Sequence, residues 1–142
     1  MNRKRIDTVL RVRTLQEQLA RQEVVRERQV LAGRIDAENA ARAEVDDRAD
    51  SRGTTTGALL ADRRHMLRSG VSHADRLADR VLSAEQDVQH AMGSWRQVAQ
   101  RLDGIERLSE RLTDQERLDA TRAESALIDD LVIARWNRSE VQ

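Results

Sequence analysis

The chain has 142 residues, no Pro, Cys, Phe or Tyr, and only Trp95 and Trp136 as aromatic side chains. Its 25 basic and 25 acidic residues cancel, and charged residues make up 35% of the whole. This excludes a disulfide framework, a Cys-ligated metal centre and an aromatic-rich globular core, and it leaves little bulk attraction for nucleic acid or an anionic membrane. The remaining Ala, Leu, Glu, Gln and Arg, with six Gly as the main breakers, form the composition of long helices and coiled coils.

The opening MNRKR leads into mixed polar sequence. No signal peptide is expected, and no apolar run of about 18 residues could span a membrane. A cytoplasmic protein is the simplest expectation. A first helix is predicted from about Arg5 to Asp50. Its apolar residues Ile6, Val9, Leu10, Val12, Leu15, Leu19, Val24, Leu31, Ile35, Ala41 and Val45 form a broken stripe. The intervals 19 to 24 and 35 to 41 fit no single helical face, although only Gly33 opposes helix between Arg5 and Asp50.

Ser51-Arg52-Gly53-Thr54-Thr55-Thr56-Gly57 is poor helix sequence and is predicted to turn. Thr54 or Thr56 could cap the next helix. Ser69-Gly70-Val71-Ser72 is a second weak point, so a break near residue 70 is the alternative turn.

A second arm is predicted from about 58 to 138. Ala74, Leu77, Val81, Ala84, Val88, Ala91, Trp95, Val98, Leu102 and Ile105 alternate at spacings of three and four, the pattern of a and d positions in a coiled coil. After Ile105 the stripe slips to Leu108, Leu112 and Leu118, then recovers at Leu127, Ile128, Leu131 and Val132. Gly93 and Gly104 each cost about 1 kcal/mol against Ala, or mark the close approach of another backbone.

Neither arm hides its stripe alone, so the predicted fold is all-α: two long helices in an antiparallel coiled-coil hairpin, as one domain. Charge favours that orientation. Residues 1–35 carry nine basic and four acidic groups, and residues 101–142 carry seven basic and ten acidic. With the turn at 53–57, an arm of roughly 50 residues reaches back to about residue 107 at 1.5 Å per residue. Leu127, Ile128, Leu131, Val132, Ile133 and Trp136 would then overhang. An exposed apolar helix end is a partner-binding signal.

Chemistry is absent from the pattern. His65, His73 and His90 lack metal-ligand spacing. Ser69, His73 and Asp75 have the residue types of a nucleophilic triad, but two helices offer no pocket to assemble one. No phosphate-cradling loop occurs. No catalytic residue, cofactor, metal, small-molecule substrate or nucleic-acid partner is expected.

Several strings carry a family resemblance. Val9-Leu10-Arg11-Val12-Arg13 with Glu17, Ser94-Trp95-Arg96 with Gln100-Arg101-Leu102, and Arg122-Ala123-Glu124 with Asp129-Asp130-Leu131-Val132-Ile133-Ala134-Arg135-Trp136 resemble the FliJ family of the bacterial flagellar type III export apparatus. The resemblance implies a non-enzymatic antiparallel coiled coil similar to a rotary ATPase stalk. It implies three partners: the export ATPase ring, the cytoplasmic domain of the export gate, and export chaperones. The protein would then be cytoplasmic and associate peripherally with the inner membrane at the flagellar base. For the ATPase contact, Leu10, Arg11, Arg13, Leu127, Leu131, Arg135 and Trp136 are the expected residues. For the gate contact the family uses aromatic side chains nearer the tip, where this chain offers Met66, Leu67 and Leu77. An injectisome stalk protein or a generic coiled-coil scaffold would share the pattern.

Overall fold

The structure, a computed structural model, describes residues 3–139 apart from Arg52, Thr54 and Thr55, with side chains described as far as Trp136. The described residues form two long helices packed against each other, α1 (Arg3–Asp50) and α2 (Gly57–Ser139), and no strand. The fold class is all-α. Two compact units share these helices. One comprises Gln16–Val98 and contains the turn; the other combines the start of α1, up to Leu15, with α2 from Ala99 onward.

Within Gln16–Val98, α2 buries Ala74, Val81, Ala84, Val88 and Ala91, with Leu77, Trp95 and Val98 half-buried. The inward residues of α1 are Glu17, Ala20, Val24, Glu27, Leu31, Arg34, Glu38, Ala41 and Val45, all buried or half-buried. They too alternate by three and four, so α1 contributes a regular heptad seam. Four of these nine are charged. That is why an apolar stripe looked broken: it left out the charged seam residues and mixed the rest with Leu19 and Ile35, which are exposed.

The seam residues Glu17, Arg34 and Glu38 keep their charged heads hydrogen-bonded. Arg34 Nη1 donates to the Arg80 carbonyl at 3.0 Å. Glu38 accepts from Arg42 at 2.8 Å. Arg28 reaches within 3.8 Å of the Met92 sulfur.

At the turn, Ser51 N donates to Asp47 O at 3.2 Å. Arg63 Nη2 then donates to the carbonyls of Arg48 and Ala49, at 3.1 Å each, and to that of Ser51. A cation therefore satisfies the carbonyls that end α1, where the helix dipole also favours positive charge. Leu60 N donates to Thr56 O at 3.0 Å, placing Thr56 at the cap of α2. The other capping candidate, Thr54, lies outside the described residues.

α2 runs unbroken through Ser69–Ser72, which corrects the expectation of a possible break near residue 70. Gly70 lies on the seam, and a Cβ there would come 2.9 Å from Val45 Cγ2. Its missing side chain permits close helix approach rather than a turn. Gly33, Gly93 and Gly104 instead face open space, with nothing within 4 Å of an added Cβ, so Gly93 and Gly104 mark no close approach. Gly33→Ala and Gly93→Ala are expected to raise stability by about 0.5–1 kcal/mol each, and Gly70→Ala to lower it. Thermal unfolding followed by circular dichroism checks both signs.

In the other unit, α1 buries Ile6 and half-buries Leu10, Arg13 and Thr14. On α2, Leu102, Ile105, Leu108, Ser109, Leu112 and Thr113 are half-buried. Ser109 continues the spacing of Leu102 and Ile105 to Leu112, so the expected slip is a polar residue occupying a seam position. Ile6 sits among Ser109, Leu112 and Thr113, and Arg3 forms an ion pair with Glu116.

Candidate functional site

From Arg117 to Trp136 every side chain of α2 is exposed. Local ion pairs follow the helix here, Arg117–Asp114 at 3.8 Å and Arg122–Asp119 at 3.4 Å. Each adds only a few tenths of a kcal/mol to a helix. Six large aliphatic side chains stand on this bare segment, all more than half exposed: Leu118, and then Leu127, Ile128, Leu131, Val132 and Ile133 in a cluster, with Leu131 at 67%. Burying one such side chain is worth about 1.5–3 kcal/mol. An exposed apolar cluster of this kind makes the segment the candidate docking surface. Trp136 is also exposed, as is Arg135.

The expected residues of the N-terminal turns are placed differently. Leu10 and Arg13 are half-buried in the seam, and Arg11 is exposed. They are not beside Leu127–Trp136. Arg3 already lies at Glu116, and Leu127 is eleven residues further on, about 16 Å along a helix. Of the tip residues, Met66 is 54% exposed and borders an open groove with Leu59, Asp62 and Leu67. Leu67 and Leu77 are half-buried at seam positions.

One feature escaped the sequence. Trp95 is half-buried, and its Nε1–H donates to Glu17 Oε1 at 2.8 Å, across 78 residues of sequence. Glu17 is 7% exposed and also pairs with Arg21 at 2.8 Å. The Trp95 hydrogen bond holds the Glu17 carboxyl below the usual carboxylate range; Arg21 acts in the same direction, and desolvation opposes them. A folded-state value below the unfolded one means the contribution is present at neutral pH. It disappears as pH falls through the acid end of the carboxylate range. Glu17→Gln should therefore flatten the loss of stability on acidification below pH about 4, read from denaturant midpoints at a series of pH values. The findable signal was the spacing Leu10, Arg13, Glu17, Ala20, Val24, once polar residues are allowed on the seam.

His65, His73 and His90 are exposed. Among the described residues no group of side chains could hold a metal ion, and no helix is long and apolar enough to cross a membrane. In comparison with known proteins, the family model described as "Flagellar FliJ protein" matches residues 2–141. No curated protein and no solved structure gives a significant match.

Proposed function

Since the chain belongs to the FliJ family and is a component of the flagellar protein export apparatus, we propose that it couples the export ATPase ring to the export gate and assists export chaperones. It does so in the cytoplasm, peripheral to the inner membrane, by binding rather than by chemistry of its own.

The observation that carries this reading is the distribution of apolar side chains beyond Glu116. Successive helix positions are about 100° apart. Leu127, Leu131, Ile128, Val132 and Ile133 therefore fan over about 240° of the circumference. A flat partner covers one stripe of a helix; a channel covers all sides. A helix with apolar side chains spread over more than one face is best covered from several sides, and the central pore of a ring has that shape. Arg135 can pair with a carboxylate of the channel wall in bidentate fashion. Asp129 and Asp130, on the same turns, suit cations there.

Arg11 and the half-buried Leu10 and Arg13 lie further back, so in this reading they meet the mouth of the ring while the bare segment enters it. The gate contact is proposed at the turn-side end around Met66, Leu67 and Leu77, with exposed Met66 as its outermost side chain. The test is ATP hydrolysis by the purified cognate export ATPase, with the intact chain and with residues 127–142 removed. Equal stimulation by both would refute the reading.

A further inference from the structure

The seam of α1 repeats. Leu10, Arg13, Glu17, Ala20 and Val24 recur as Leu31, Arg34, Glu38, Ala41 and Val45, each 21 residues on. Arg21 and Glu23 recur in the same way as Arg42 and Glu44. The local bonding recurs too: Glu17 pairs with Arg21 and Glu38 with Arg42, both at 2.8 Å. Twenty-one residues are three heptads, a displacement that returns every seam residue to the seam.

A coiled coil whose seam repeats has more than one way to pair. In the observed pairing Val45 lies at Gly70, and the point midway between them in sequence is Gly57. Advance α1 by three heptads and Val45 lies at Ala91 instead, with the midpoint at Arg68. Glu38 then stands where Glu17 now meets Trp95. The two midpoints fall at the edges of the two weak points of the sequence, Gly57 at the end of residues 51–57 and Arg68 just before residues 69–72. The repeat and the pair of weak points are independent features, and they specify the same alternative.

We propose that the hairpin has a second register, three heptads from the observed one, in which the turn moves to about residues 68–70 and the start of α1 sheathes the bare segment of α2. Ile6 moves from Leu112 to Ile133, and the docking segment is covered on its seam side. The observed register wins because the second one requires residues 51–57 to be helical. Two Gly and three Thr oppose that: Gly is among the worst helix formers, and Thr ranks well below Ala. The consequence for docking rests on the proposed function; the register itself does not.

The chain has no Cys, so spin labels can be placed without background. Arg28→Cys and Met92→Cys label two residues that touch in the observed register. The parent protein should give one short distance, under about 20 Å. Sliding by 21 residues at 1.5 Å each separates the labels by about 30 Å. The biasing variant replaces Gly53, Thr54, Thr55, Thr56 and Gly57 together by Ala, which makes residues 51–57 strong helix sequence. The expected result is a main distance of about 30 Å in a monomer, confirmed by sedimentation. ATPase stimulation by the same variant should drop at least tenfold. A distance that stays short, or a dimer joined through uninterrupted helices, overturns the second register. A distance of about 30 Å with full stimulation upholds the register and overturns the docking role of the segment.

Discussion

Removing residues 127–142 is expected to abolish stimulation of the export ATPase while the remaining chain stays helical. The removed stretch lies beyond the ion pair of Arg3 with Glu116, and each of its described side chains is exposed. Folding stability should therefore change by less than about 1 kcal/mol, the range of surface substitutions. Binding should change far more. Five aliphatic side chains at about 1.5–3 kcal/mol each amount to a gross gain on the order of 10 kcal/mol. Association and ordering offset much of it. Leu131→Ala combined with Trp136→Ala should reproduce most of the loss, because central apolar anchors carry about 2 kcal/mol or more each. Circular dichroism checks that the variants are folded, and steady-state ATP hydrolysis reads the effect.

Trp95→Ala is expected to lower hairpin stability by about 2–3 kcal/mol. A fully buried Trp loses about 3–5 kcal/mol on truncation; Trp95 is half-buried in a narrow seam, so the lower figure applies. Two losses combine, the indole packing and the hydrogen bond to Glu17. Trp95→Phe separates them: it keeps an aromatic ring, removes the N–H, and should lose less. Chemical unfolding followed by helicity gives both values. An unchanged midpoint for Trp95→Ala would mean that the ring contributes no seam packing.

The second helix was legible because its seam is written in one chemistry. From Ala74 to Ile105 each seam position is apolar, and each is buried or half-buried in the structure. The first helix was not legible by the same rule. Glu17, Glu27, Arg34 and Glu38 occupy seam positions, while Val12, Leu15 and Leu19 face water. Hydrophobic periodicity finds a seam only where its positions are filled by apolar residues. In a two-helix pair every seam position lies near an edge, so a long charged side chain can reach solvent from it. Ser109 hid the continuation of the second seam for the same reason. Gly70 was misread because glycine serves both turns and close contacts, and sequence alone does not say which.

The bare end of α2 was legible as apolar sequence beyond the reach of the first arm. The separation of Leu10, Arg11 and Arg13 from it was not, because arm length alone fixed the register only loosely. The Glu17–Trp95 bond was invisible for a different reason. It joins residues 78 apart, and nothing local to either one points to the other.

The segment beyond Glu116 is helical although every described side chain in it is exposed. Starting a helix is the unfavourable step, and extending one is nearly free. The paired part of α2 supplies the start, and the bare segment grows from it as an extension. Cut loose as a peptide, residues 117–139 would have to nucleate alone, at a length where helices in water are only marginal. Such a peptide would be mostly coil and a poor competitor for whatever the intact protein binds. The hairpin thus acts on its own overhang as a template, holding the exposed apolar side chains on a helix that is already formed.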